Sequence, residues 1–343
     1  MKRDRNYTVD LFKYIFSLMV IAIHVHLFSE FNHFLYALTV QVFARAAVPF
    51  FAVCTGFFLY GGVIEKEHTG GSVKTYFFKY FKRVFLLYAI WSCIYLLYSI
   101  PKWIKIDWFS IWSFVDYGIN AIKQGSYYHL WYLVSLLYAL PLFFLLITKT
   151  RRSIWIILSI VLYAVELLTY SYSFLLPSEL AFLIDLRSNW DALFSAVFRI
   201  LPFLLLGAFC QEIKKSISGY SIVVLILAFL FQLLEVLLLN KAGHSTVSYI
   251  VMTYPVVLVL FMLVIRMRTP IRSAACRLLG RISGFVYCVH PMIIEVLQHF
   301  ELSSVLNFLI TSVSATLLAI IFERIKIMSK KYCKLSENES LTL

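Results

Sequence analysis

Residues 130–148 read LWYLVSLLYALPLFFLLIT, an apolar stretch without a charged side chain. A helix of roughly 20 apolar residues is long enough to cross a hydrocarbon core of about 30 Å. Similar stretches recur along almost the whole chain, near 10–29, 37–61, 76–99, 153–171, 193–210, 220–239, 246–266, 282–298 and 302–323. The sequence therefore predicts an all-α integral membrane protein with about ten transmembrane helices.

The composition of the chain agrees with a lipid environment. Of its 343 residues, 61% are hydrophobic and only 14% are charged, and the mean hydropathy is +0.83. These values lie outside the range of soluble globular domains. The six cysteines include no C-x-x-C pair and fall mostly in apolar stretches, where cysteine packs as a small hydrophobe. We therefore expect neither a metal site nor a disulfide framework.

The net charge of +13 raises the question of an acidic partner such as nucleic acid, and the positions of the basic residues decide it. If the amino terminus is cytoplasmic, 23 of the 31 Lys and Arg residues fall in segments on the cytoplasmic side, and five fall in outer loops. This asymmetry follows the positive-inside rule. We expect both termini in the cytoplasm, a plasma-membrane location and no nucleic-acid partner.

We expect a single membrane domain over residues 10–325, between a cytoplasmic amino-terminal segment at 1–9 and a cytoplasmic tail at 326–343. The first apolar stretch follows basic residues, as in a signal peptide, but it is long and ends without a small-x-small cleavage site, so we interpret it as a retained helix. The outer loops at 100–129 and 172–192 are the longest. Their tryptophans are first of all expected to anchor the chain at the membrane interface.

Ionisable side chains inside the predicted helices are the candidate functional residues, because a charge at mid-membrane costs at least about 2.5–3.5 kcal/mol. In the first helix, Lys13 and His24 are separated by three turns plus about 20°, which puts them on one face roughly 16 Å apart. Asp10 lies one turn before Lys13. His26 points to a different face than His24, so only one of the two histidines can readily line that stripe.

The second predicted helix carries a cation and a helix-breaking residue. Arg45 lies in its outer third, followed by Pro49 and then by the small pair Thr55-Gly56. Proline frees backbone groups that must be satisfied within the protein, and small residues permit close approach between helices. This segment is therefore a candidate part of a site.

Two further helices add imidazoles and an indole. His129 and Trp131 lie at the outer mouth of the fourth predicted helix, and His290 lies in the ninth. Each buried polar residue also has an ordinary structural explanation: a histidine can hydrogen-bond between helices, and Arg199 and Glu235 can pair with neighbours. Spacing alone does not choose between these readings.

Four motifs nevertheless follow one another in a defined order. They are D-x-x-K with a histidine eleven residues on (Asp10, Lys13, His24), R-x-x-V-P-F-F closed by T-G-F-F-L (45–59), H-L-W-Y-L (129–133) and Y-x-x-H-P (287–291). With this order, over about residues 7–325, the chain resembles the acyltransferase 3 family of membrane O-acyltransferases. Members of that family move acyl groups, commonly acetyl from cytoplasmic acetyl-CoA, onto hydroxyls of cell-surface glycans, peptidoglycan or other extracytoplasmic acceptors.

The resemblance implies an O-acetyltransferase that uses acyl-CoA as donor substrate, holds no permanent cofactor and acylates a surface polysaccharide, with glycan-synthesis enzymes as further partners. Lys13 would bind the donor phosphates, and Arg45 and His129 would stabilise the oxyanion or hold the acceptor at the outer side. His24 would act either as general base or as transient acyl carrier, and both roles stay open. Acceptor binding would fall to His129, Trp131 and His290.

Two positions depart from the family's pattern. The family usually has Arg where this chain has Lys13, and lysine lacks the planar fork that grips phosphate bidentately. The family's Ser-Gly is Thr55-Gly56 here, which keeps the hydroxyl.

Two other function classes fit the buried charges. One is a transporter of a small solute or a glycan exporter, since ionisable residues and broken helices also mark substrate pathways, although no inverted repeat is visible. The other is a membrane scaffold for glycan-synthesis enzymes. A scaffold would leave the charged and imidazole side chains at membrane depth unexplained, namely Lys13, His24, Arg45 and His290.

Overall fold

The structure, a computed structural model, describes residues 6–214, 221–244, 248–267 and 274–340. Within these ranges the chain is helical and contains no β-strand, which confirms the predicted all-α class. The α-helices in chain order are α1 (Tyr7–His24), α2 (His33–Tyr36), α3 (Ala47–His68), α4 (Val73–Lys105), α5 (Ile111–Lys123), α6 (Trp131–Lys149), α7 (Arg152–Leu168), α8 (Phe182–Asn189), α9 (Asp191–Ser195), α10 (Leu201–Ile213), α11 (Ser221–Lys241), α12 (Thr253–Arg266), α13 (Ala274–Leu297) and α14 (Ser304–Ser340).

Among the described residues, seven helical segments are long and apolar enough to cross a membrane. They are Tyr7–His24, His33–His68, Val73–Lys105, Trp131–Lys149, Asp191–Ile213, Ile222–Lys241 and Ser304–Ser329. The chain is therefore a multi-pass membrane protein. Helices α7 and α12 are shorter, and α13 carries Arg277 and Arg281 in its first turns. The count of ten spans and the cytoplasmic position of both termini remain predictions.

The first helix ends at His24, five residues before the predicted end at 29, because tertiary contacts turn the chain there. His26 and Phe28 take positive φ angles of 50° and 69°, which bulky residues rarely adopt. The Phe28 N–H donates to the Ser304 hydroxyl at 3.0 Å. In return, the Ser304 N–H donates to the Glu30 carboxylate at 2.6 Å. This exchange fixes the turn that follows His24.

The loop predicted at 100–129 contains the amphipathic helix α5, which was not predicted. Its apolar face is open, and Trp112 is 69% exposed. Its other face is anchored by Tyr117, whose hydroxyl donates to the Ser92 carbonyl at 2.7 Å. An exposed apolar face on a membrane protein is suited to the lipid interface, in line with the anchoring expected for the tryptophans of this loop.

The chain forms two compact units, one of residues 1–47 with 264–343 and the other of residues 48–263. In the first unit, α1 packs on α13, and α13 packs on α14. A Cβ atom at Gly280 would overlap the Asp10 carboxylate, so the absence of a side chain at this position allows α1 to approach α13 closely. The domain boundaries predicted at 9/10 and 325/326 remain predictions.

In the second unit, α3 and α10 cross at two glycines. A Cβ atom at Gly56 would overlap the carbonyl oxygen of Leu204, and one at Gly207 would overlap that of Val53. Backbone therefore meets backbone at this crossing, which only residues without a side chain allow. The expectation that the Thr55-Gly56 pair permits close helix approach is confirmed.

Candidate functional site

His24 and His290 stack face to face in the first unit. Their ring centroids are 5.2 Å apart, with an angle of 29° between the ring planes. Asp10 lies against Gly280 on the same two helices. Asp10 pairs with Gly280, and the later residue His24 pairs with the later residue His290. Helices α1 and α13 therefore run side by side in the same direction. The packing of these helices therefore brings two motifs that are distant in sequence into one pair of imidazoles.

The residue after His290 explains how its ring is held. Pro291 has no N–H to donate to the carbonyl of Tyr287, which lies four residues earlier and would accept it in a regular helix. The His290 Nδ1 atom takes that carbonyl instead, at 2.7 Å. A carbonyl oxygen only accepts, so Nδ1 carries the hydrogen and Nε2 keeps the lone pair. The Y-x-x-H-P motif thus selects one tautomer of a fully buried histidine.

Arg45 supplies a positive charge to the same unit. It lies in a 3₁₀ turn, Ala44–Ala46, that packs on α1, and its charge acts on the His24 ring. Its Nε atom is buried and has no hydrogen-bond partner among the described residues. Lys13 lies three turns before His24 on α1 and is half-buried. The first unit therefore holds His24, His290 and Arg45 together, with Lys13 nearer the start of α1.

The other two predicted site residues lie in the second unit and have different surroundings. His129 is buried among tyrosine rings, and the ring centroid of Tyr95 is 5.1 Å away. Trp131 lines a cavity of about 400 Å³. The cavity walls combine aromatic, amide and charged side chains, namely Tyr117, Asn120, Gln124, Gly125, Ser126, Tyr128, Trp131, Asp191 and Arg199. Burial raises the pKa of Tyr117 to about 12, so its phenol is neutral at physiological pH.

A buried charge cluster behind this cavity was not predicted. Arg199 donates to the Glu166 carboxylate through Nε at 2.8 Å and through Nη2 at 2.6 Å. Arg187 lies 3.4 Å from the same carboxylate oxygen, and burial lowers the pKa of this second arginine. The signal was present in the sequence, since Glu166 is an acid inside an apolar stretch and Arg199 is a base inside another. Sequence alone does not show that the two face each other.

The structural explanation weighed for Arg199 and Glu235 is confirmed, because both pair with neighbours. Glu235 accepts the backbone N–H groups of Val251 at 2.8 Å and Met252 at 2.9 Å, and it also accepts the hydroxyl of Tyr172. Its carboxylate therefore caps the turn that precedes α12. Among the described residues, no group of His, Cys, Asp or Glu side chains could hold a metal ion.

The fold and these polar helices define a multi-pass membrane protein with an imidazole pair in one unit and a polar cavity in the other. The acyltransferase domain of the acyltransferase 3 family matches residues 6–324. The chain belongs to that family, as its motifs led us to expect.

Two curated relatives extend the comparison, both from Enterococcus faecalis and both named amino-acid racemase. One is 26% identical over 336 residues, which cover 91% of this chain and 45% of the relative. The other is 24% identical over 225 residues, which cover 64% of this chain and 29% of the relative. The chain thus spans less than half the length of these curated relatives. No solved structure matches the chain.

Proposed function

We propose that this protein transfers an acyl group from cytoplasmic acyl-CoA to a hydroxyl of a cell-surface polysaccharide or another extracytoplasmic glycan. The proposed acyl group is acetyl, which members of the family commonly transfer. The proposal places the protein in the plasma membrane, where it would act beside glycan-synthesis enzymes. Membership of the family supports acyl transfer. The observation that carries the proposal is the stacked pair of His24 and His290, with the charge of Arg45 acting on it.

In the first form of the mechanism, His24 is a general base. It takes the proton of the acceptor hydroxyl while that oxygen attacks the thioester carbonyl. Arg45 stabilises the oxyanion of the tetrahedral intermediate. The intermediate expels the CoA thiolate, which recovers the proton from His24 and leaves as a thiol. His290, held in one tautomer, keeps the stacked ring of His24 in place.

In the second form, His24 is an acyl carrier. Its unprotonated nitrogen attacks the thioester and releases the CoA thiolate. The acceptor hydroxyl then attacks the acyl-imidazole, His24 leaves as free imidazole, and the hydroxyl proton passes to the thiolate, which leaves as a thiol. The two forms differ in one observable species. Mass spectrometry of the purified protein after mixing with labelled acetyl-CoA, without acceptor, would show labelled His24 only in the second form.

The test in cells is the ester content of purified surface polysaccharide, measured by NMR in strains with the intact gene, a deletion and His24→Ala. The matched control is His299→Ala, which removes an exposed histidine of the first unit. We expect the ester signal with the intact gene and the control only. An unchanged ester signal in the deletion strain would remove the glycan acceptor from the proposal.

We infer a second candidate function, the binding or passage of an amino acid, from the substrate class in the names of the two relatives. The observation that favours it is the cavity of the second unit, whose walls hold an arginine and an aspartate. Uptake of a labelled amino acid into vesicles that contain the purified protein, with no acyl-CoA present, tests this candidate. Uptake equal to that of empty vesicles would contradict passage.

A further inference from the structure

Arg199 reaches the cavity of the second unit with its orientation fixed. A π-helical turn, Ala196–Ile200, carries it, and Trp131 and Tyr249 cover its guanidinium at centroid distances of 4.8 and 4.7 Å. Its bonds to Glu166 use Nε and Nη2. Within the described part of the chain, the Nη1 edge has no such partner. This edge of a cation that lines the cavity is therefore available to an acceptor group on a ligand.

Asp191 presents the opposite charge to the same cavity. It is half-buried at the start of α9 and accepts one hydrogen bond, from the Ser195 hydroxyl at 3.3 Å. In the described ranges no cation forms an ion pair with it, because the arginines nearby both pair with Glu166. A partly desolvated carboxylate of this kind is stabilised by a cationic group on a ligand.

The charged residues that line the cavity balance each other, since they are one cation, Arg199, and one anion, Asp191. Two arginines, Arg187 and Arg199, face two carboxylates, Glu166 and Asp191, and the charge of Asp191 acts on both arginines. A ligand with a single charge would upset this balance and leave one of the two lining groups without a counter-charge. A ligand with one charge of each sign would preserve it and give Asp191 a cation.

We propose that this cavity binds a small zwitterion that carries one ammonium and one carboxylate group. The Nη1 edge of Arg199 donates to the carboxylate, and Asp191 accepts from the ammonium, beside the rings of Trp131 and Tyr128. Glu166 is a positioning residue, because it holds Arg199 without lining the cavity itself. A cavity of about 400 Å³ lies at the small end of ligand sites, which favours a compact side chain. The inference rests on the second candidate function and is independent of acyl transfer.

The test is binding to the purified full chain in lipid nanodiscs, by titration calorimetry, without acyl-CoA. The probes are L-alanine, ethylamine, which lacks the carboxylate, propionate, which lacks the ammonium, and glucose as a neutral polyol. We expect L-alanine to bind at least tenfold more tightly than each of the other three. Equal binding of all four, or binding of glucose alone, would overturn the proposal.

Two variants locate the site. Asp191→Asn and Arg199→Lys should each weaken L-alanine binding at least tenfold, since the first removes the charge that faces the ammonium and the second removes the Nη1 donor of the guanidinium. The matched control is Asp116→Asn on α5, an exposed aspartate that does not line the cavity. Unchanged binding in Asp191→Asn would overturn the assignment even if Arg199→Lys fails to fold. Because binding is measured without flux, a failed uptake experiment and a failed binding experiment remain distinct results.

Discussion

At the scale of single residues, Pro291 gives the spacing of the Y-x-x-H-P motif a physical reason, because it leaves the Tyr287 carbonyl to the ring of His290. In Pro291→Ala, the new backbone N–H would compete for that carbonyl and release the ring. Alanine is also the better helix former, by up to about 3 kcal/mol. We therefore expect acyl transfer to fall about tenfold while thermal stability stays the same or rises.

The readout that separates this effect from general damage is ¹⁵N NMR of labelled His290, which should show a loss of the Nδ1–H tautomer. Pro101→Ala is the control, since Pro101 is an exposed proline inside α4 that is followed by lysine. It should gain helix stability without a change in transfer. If Pro291→Ala keeps both full activity and the Nδ1–H tautomer, this explanation of the motif is wrong.

Glu166 carries the buried charge cluster of the second unit. Its carboxylate is fully buried and is shared by Arg199 and Arg187. Glu166→Gln would leave two buried guanidinium groups without their shared counter-ion, at a cost of about 3–5 kcal/mol. We expect a marked drop in the unfolding temperature in detergent, whereas Glu179→Gln, at an exposed position, should leave it unchanged. Equal unfolding temperatures for the two variants would contradict the assigned role.

At the scale of elements, the seam between α1 and α13 depends on one glycine. A Cβ atom at Gly280 would meet the Asp10 side chain, whereas one at Gly284, a turn further along α13, would meet nothing within 4 Å. We expect Gly280→Ala to push α1 away from α13, to separate the imidazoles of His24 and His290, and to lower acyl transfer at least tenfold. Gly284→Ala should leave transfer intact. The measurement is acyl transfer by the two variants, assayed side by side. Equal transfer by both would contradict the proposed role of Gly280 in the packing of α1 on α13.

The elements also show what sequence can and cannot predict. The helix predicted at 130–148 is found at Trp131–Lys149, because an uncharged apolar stretch matched to the bilayer has little freedom to shift. The end of α1 at His24 was missed because a hydrogen bond to Ser304, far along the chain, sets it. Helix α5 was missed because it is too short to span a membrane and its apolar face is not packed in a protein core.

For the whole molecule, the basic residues predict which segments face the cytoplasm. With both termini inside, residues 62–83 would be cytoplasmic and residues 100–129 would lie outside. A membrane-impermeant maleimide added to intact cells should therefore label Asp116→Cys above the background of the unsubstituted protein. Glu67→Cys should react only after lysis. Labelling of Glu67→Cys in intact cells would reverse the predicted topology.

The site shows the same division between what sequence predicts and what it leaves out. The motifs single out His24, Arg45 and His290, but their meeting in one unit depends on how α1 packs against α13. The pairing of Arg199 with Glu166 depends on two helices that the sequence separates by the loop at 172–192. The sequence pattern shows which ionisable residues lie inside apolar stretches. Only the packing of the helices shows which of these residues contact one another.

The most direct measurement for the central claim is transfer of labelled acetyl from acetyl-CoA to purified surface polysaccharide by the full chain in lipid vesicles. The account predicts an alkali-labile labelled ester with the natural protein. It also predicts a loss of about a hundredfold or more in His24→Ala, the size expected when a general base or a nucleophile is removed, and a large loss in His290→Ala. Undiminished transfer by either variant, with the protein correctly inserted, would contradict the account.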